Sequence, residues 1–249
     1  MDIDNEKESR GSNWALALAI FIAGLMIAMA VIYSTGKQNL ESQINQKSAT
    51  TTKSEILESK TPENIRAVSQ DDHIFGNPEA PVKLVGFSDT ECFFCKQFHQ
   101  TMRKIIQEQG ANGNVAWIYR HFPLDRIHSK ARKEAEATEC ANELGGNKKF
   151  WAYLDRLFEI TPSNNNLNLS ELPAIAEYVG LNRSLFEECL NSNKYGQRVQ
   201  DDLDDAIRSG GTGTPYSVII APNGKKFTFS GAQPYSTVKS MIDSAMQEK

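Results

Sequence analysis

The chain has 249 residues, 40% of them hydrophobic, with a formal charge of −4 and a pI of about 5.7. That is enough apolar material for a packed globular part, and the acidic balance leaves no basic field to attract nucleic acid, so no nucleic-acid partner is expected. Four cysteines are too few for a disulfide scaffold, and they fall as one close pair, Cys92 and Cys95, and two singles, Cys140 and Cys189.

Residues 1–13 are polar and charged and read as a cytoplasmic tail. Trp14 to Tyr33 then runs for 20 residues without a charge. At about 1.5 Å rise per residue such a helix spans a hydrocarbon core of roughly 30 Å, and the aromatic residues at its two ends suit the interfaces. The segment is read as a single-pass transmembrane anchor. The competing reading, a signal peptide cleaved near Ala28-Met29-Ala30, calls for a shorter apolar core. Lys7 and Arg10 precede the run and Lys37, Lys47 and Lys53 follow it, so the positive-inside rule gives no orientation. A close pair such as Cys92 and Cys95 can close a disulfide, which persists only in an oxidising compartment; on that reading the body is expected outside the cytoplasmic membrane.

Residues 34–70 are rich in Ser, Thr, Gln, Asn, Lys and Glu without periodicity and read as a flexible stalk with a reach of roughly 35 Å. The globular part is expected over 71–249. His73-Ile74-Phe75 is a short strand, Gly76-Asn77-Pro78 a turn, and Val82 to Phe87 an apolar strand. A helix follows from Cys92 to about Gln109, with Phe98, Met102, Ile105 and Ile106 on one face, and then the interior strand Val115 to Tyr119. Strand, helix and strand of these lengths make a βαβ unit.

An all-helical stretch is predicted over about 127–209. Its helices are one around Ala131 to Cys140, a second around Phe150 to Phe158, then Leu172 to Tyr178, Arg183 to Leu190 and Val199 to Ile207. After Gly213-Thr214-Pro215 come the strand Tyr216 to Ala221, the turn Pro222-Asn223-Gly224, the strand Lys226 to Ser230 and a helix from about Pro234 to Met246.

This order resembles the thioredoxin fold with the helical insertion of DsbA-like thiol:disulfide oxidoreductases. The resemblance rests on Cys92-Phe93-Phe94-Cys95, on Gly-Asn-Pro-Glu-Ala-Pro-Val at 76–82, Phe-Ser-Asp at 87–89, Tyr-Arg-His-Phe-Pro-Leu at 119–124 and Gly-Thr-Pro at 213–215. It implies an α/β thioredoxin-like domain with an inserted helical bundle and a redox-active Cys92–Cys95 disulfide. Pro215 would be cis, facing the pair, with the Thr214 backbone offered to an extended client peptide. Two departures stand out. The family's acidic residue six positions before the first cysteine is here Gly86, and the dipeptide between the cysteines is Phe93-Phe94 rather than one with proline.

By position Cys92 is the attacking thiol, at a helix start where the dipole favours a thiolate, and Cys95 is the resolving thiol one turn deeper. Glu91, beside Cys92, is expected to oppose that thiolate. One of Phe93 and Phe94 is expected to project towards apolar clients while the other packs; Phe93 is the substrate-binding candidate. The family sometimes bridges Cys140 and Cys189; two buried free thiols are the alternative. His99 reads as a packing histidine, and His121 and His128 carry no assigned chemistry. No metal and no organic cofactor are implied. The expected partners are reduced, unfolded exported proteins, a quinone-linked membrane oxidase that restores the disulfide, and the membrane itself through residues 14–33. The rivals are a reductase or isomerase using the same site, and a non-catalytic metal- or peptide-binding module.

Overall fold

The computed structural model describes Pro62 and residues 64–248. The sheet grows around β2 (Val82–Ser88), whose Val82, Leu84, Val85 and Phe87 are wholly buried because helices cover both faces. β3 (Val115–His121) lies parallel to β2, pairing Gly86 with Tyr119 and Ser88 with His121. β1 (His73–Gly76) pairs antiparallel with the outer side of β3. On the other side β4 (Tyr216–Ile220) and β5 (Lys226–Ser230) form an antiparallel hairpin, giving the order β1-β3-β2-β4-β5.

Helix α1 (Phe93–Glu108) closes the βαβ crossover. Its buried stripe of Phe98, Met102, Ile105 and Ile106 packs on Leu84, Trp117 and Ile219, together with Val238 and Ile242 of the last helix, α6 (Tyr235–Ala245). The opposite face of the sheet is covered by Ile65, Val68 and Ala206 against Val85, Ile118 and Val218.

Between β3 and β4 stand α2 (Ala131–Ile160), α3 (Glu171–Tyr178), α4 (Arg183–Asn191) and α5 (Gly196–Arg208). The two helices expected over 131–158 form one 30-residue element broken at Gly146, whose φ of 69° lies in the left-handed region that glycine enters without a Cβ penalty. Beyond that break α2 carries two apolar stripes. Phe150, Trp151, Leu154 and Phe158 join the sheet-side core, while Tyr153 and Leu157 join the core of the insertion. Cys140 on α2 and Cys189 on α4 are joined by a disulfide across 49 positions, which decides between the bridged and free readings.

The packed unit begins earlier than expected. Residues 64–70, assigned from sequence to the stalk, run in ordered, non-helical chain against the domain. Ile65 is buried among β2, β3 and β4 residues, and Arg66 donates from Nη2 to Asp202 at 2.8 Å and to Asp72 at 3.1 Å. Arg120, wholly buried on β3, joins the same network: Nε and Nη2 donate to Asp72 and Nη1 donates to Asp205 at 2.7 Å, with the carbonyls of Arg66 and Ala67 taking the remaining protons. Apart from Asp72, the acids and the guanidinium that hold this segment lie more than 50 positions away in sequence, so no local periodicity announces it. The tail at 1–13, the anchor at 14–33 and the stalk up to residue 61 lie outside the described residues. Among the described residues no helix is long and apolar enough to cross a membrane.

Candidate active site

β2 ends at Ser88, and Asp89-Thr90-Glu91 turns the chain into α1, with Cys92 at the N-cap and Cys95 one turn further along. Cys92 is 6% exposed and Cys95 1%, so the first thiol is the more accessible of a largely buried pair. Both are free thiols. The Thr214–Pro215 peptide bond is cis, as the resemblance implied, and the Thr214 carbonyl accepts from the Cys92 thiol at 3.6 Å. Cys92, Cys95, Thr214 and Pro215 are therefore brought together by the start of α1 and the turn before β4.

The two sulfurs differ in proton affinity. The Cys95 thiol donating to its neighbour is the main influence pulling Cys92 down to about 6; Thr214 and the Cys95 backbone amide act in the same direction, against burial and the charge of Asp89. Burial and the facing Cys92 sulfur push Cys95 well above the ordinary thiol value, although the Asp89 backbone N–H donates to its sulfur at 3.4 Å. At neutral pH the reduced pair thus holds one thiolate, on Cys92, and one proton, on Cys95. Alkylation of the reduced protein should follow this: the rate at Cys92 should be half-maximal near pH 6, whereas a midpoint near 9 would mean the thiolate has no such support.

The acid that opposes Cys92 is Asp89, not Glu91 as expected. Glu91 turns into the insertion, where its carboxylate accepts from the backbone N–H of Asn165 and its carbonyl from Asn164 at 2.7 Å. Burial, with the neighbouring Glu91, pushes Glu134 up to about 9, so that carboxyl keeps its proton. Asp89 is buried and accepts from the backbone of Glu91 and Leu124 at 2.7 Å each and pairs with His128 Nδ1 at 2.9 Å. Burial raises its pKa despite those bonds. His128, given no chemistry from sequence, is thus the partner of the acid beside the thiols. The Phe87-Ser88-Asp89 run was the only sign of Asp89, and nothing local pointed to His128.

At Gly86 a side chain would begin 3.0 Å from the indole nitrogen of Trp117, so the place of the family's carboxylate is occupied by an aromatic ring. His99 packs as expected: it lies against Phe158 and Trp117, bonds Asp155 at 2.7 Å, and burial lowers its pKa. The expected division between Phe93 and Phe94 is absent. Phe93 is 49% and Phe94 59% exposed, their rings meeting edge to face at 5.7 Å. Neither enters the core because Cys95, Phe98 and Met102 already hold the inward face of the first turns. The two rings form an apolar platform beside Cys92, of which only Phe93 was expected.

Comparison with known proteins places this geometry in context. A family model described as Thioredoxin matches residues 68–244. The solved structure of DsbA2 from Pseudomonas aeruginosa is 26% identical, with a TM-score of 0.61 over 73% of this chain and 98% of that one. BdbD from Bacillus subtilis, in its oxidised form, shares the fold at 22% identity, with a TM-score of 0.62 over 71% of this chain and 94% of its own. Among curated proteins, the Na(+)/H(+) antiporter NhaA 1 of Salinispora arenicola is 33% identical over 144 residues, 58% of this chain and 21% of the antiporter. The chain thus spans about a fifth of the length of the curated relatives it matches.

Proposed function

The chain belongs to the thioredoxin family, and from that premise we propose that it is a thiol:disulfide oxidoreductase that introduces disulfides into exported proteins through Cys92 and Cys95. A client thiolate attacks Cys92 Sγ of the Cys92–Cys95 disulfide; the S–S bond breaks, Cys95 leaves with the electron pair and takes a proton, and Cys92 is held in a mixed disulfide. A second client thiolate then attacks the client sulfur and expels Cys92 as a thiolate, leaving the client oxidised and the pair reduced. The observation that carries this direction is the depressed Cys92 pKa, because a stable thiolate is a good leaving group and favours the reduced form of the enzyme.

The platform of Phe93 and Phe94 suits unfolded clients with exposed apolar segments, and the cis turn at Thr214 suits an extended peptide laid beside Cys92. The reduced pair needs an oxidant, for which a quinone-linked membrane protein is the expected class. The uncharged run Trp14–Tyr33 supports an anchor in the cytoplasmic membrane with the globular part on its outer side. Equilibration in glutathione buffers of graded potential, with alkylation to count free thiols, tests the direction. The oxidase reading expects a potential near those of oxidising family members, above about −200 mV. A potential near that of thioredoxin, about −270 mV, would overturn it in favour of a reductase.

A further inference from the structure

Three buried side chains that the redox chemistry does not use converge from three elements. His73 on β1, His121 at the end of β3 and Glu139 on α2 each offer one ligand atom, and these atoms lie within 4.8 Å of one another. Glu139 Oε1 is 2.8 Å from His73 Nε2 and 2.9 Å from His121 Nε2. The ring of His73 is held by stacking on Phe150 at 3.5 Å. Nothing in the sequence points to this triad, because its members stand 66 and 18 positions apart and share no motif spacing.

We propose that His73, His121 and Glu139 form a binding site for a borderline divalent transition-metal ion such as Zn²⁺. Two imidazole nitrogens and one carboxylate oxygen are the donor set of several zinc sites, and they leave a fourth position open. Metal–ligand distances of about 2.0–2.1 Å put tetrahedral donors about 3.3 Å apart, so each of the two carboxylate–imidazole pairs needs to open by only about half an ångström, while the two imidazole nitrogens already lie within 4.8 Å of each other. Access exists: a recess of about 400 Å³ lined by Asp71, Asn142, Tyr195 and Arg198 reaches His73 and Glu139. Two imidazoles donating to one carboxylate would also give the observed distances, and the groups around the triad decide how hard a cation must compete. Arg198 Nε stands 3.8 Å from Glu139 Oε1, while its Nη2 donates to the Asp71 carbonyl at 2.6 Å; its charge opposes a cation. Thr138 Oγ1 is 3.5 Å from His121 Nε2 but donates to the Ala135 carbonyl at 2.8 Å. Asp72, beside the recess, is committed to Arg66 and Arg120. A bound ion would join β1, β3 and the helical insertion at one point.

The test uses the full chain in detergent, stripped with a chelator and with Cys92 and Cys95 closed as a disulfide so that no thiol is available. Titration with Zn²⁺ by calorimetry, and with Co²⁺ by visible absorption, should give one equivalent and a raised thermal midpoint. His73→Gln and Glu139→Gln should each weaken binding at least tenfold. Arg198→Ala, which keeps all three ligands, should tighten it and serves if the ligand variants fail to fold. Absence of one-to-one binding by the parent chain, or affinities in folded variants within twofold of it, would overturn the site.

Discussion

Replacing Cys92 by serine should reduce oxidation of an unfolded, reduced client to background, because a hydroxyl forms no mixed disulfide and no other thiol reaches the same place. Cys95 is 1% exposed, and Cys140 and Cys189 are bonded to each other. The complementary change, Cys95→Ala, should do the opposite to the intermediate. In that variant the Cys92 thiolate attacks a disulfide already present in a client, expelling one client sulfur as thiolate; with the resolving thiol gone Cys92 cannot be released internally, and mixed disulfides should accumulate, visible as reducible high-mass adducts in non-reducing gels. That variant also lacks the proton donor that most favours the Cys92 thiolate, so the Cys92 pKa should rise and adduct formation should be faster at pH 8 than at pH 6. Adducts attached through any other residue, or full activity in Cys92→Ser, would remove the catalytic assignment altogether.

The second large effect is expected in a buried network that the redox chemistry does not use. Arg120→Ala should cost about 3–5 kcal/mol, a large share of a typical domain's stability, because it removes the buried cation that Asp72 and Asp205 share and leaves them only the more exposed Arg66 and Arg208. Burial raises the Asp72 pKa, but the hydrogen bonds and charge of Arg120, helped by Ser69 and Arg66, outweigh it and hold the carboxyl below its ordinary value. A depressed folded-state pKa means that this contribution is present above the unfolded value and is lost as pH falls through the folded one. The gap between parent and variant in urea midpoint should therefore be widest at neutral pH and narrow on acidification, when the stranded Asp72 carboxylate can protonate. A gap that is small at pH 7, or independent of pH, would show that the network contributes little.

What could be read without the fold follows a physical division. Strands and helices with sustained apolar periodicity, such as Val82–Ser88 and the stripe Phe98, Met102, Ile105 and Ile106, sit where their patterns placed them. Cys92, Cys95 and Pro215 were legible because a short motif and a topological position coincide. Interactions that depend on where distant chain meets were not. Arg66 and Arg120 find their acids up to 139 positions away, and the docking of residues 64–70 follows from them. The orientation of Glu91 away from Cys92, and the pairing of Asp89 with His128, depend on the loop of the insertion that receives Glu91. Phe93 and Phe94 were judged by hydrophobicity, whereas their exposure is set by which face of α1 the core has already taken.

Beyond Gly146, α2 faces two cores, and this bears on how far the chain can be taken apart. A bundle inserted into a sheet domain looks detachable, a module that could be excised or exchanged. Here the joint is a shared wall. Trp151 touches Phe75 at 5.1 Å and Trp117 at 4.7 Å on one side, while Tyr153 stacks on Phe186 at 5.3 Å on the other. Removing the insertion would strip the aromatic cover from the middle of the sheet and leave a sticky remnant instead of a minimal thioredoxin. The insertion and the sheet are expected to open as one cooperative unit, with hydrogen-exchange protection in the second half of α2 matching that of β3.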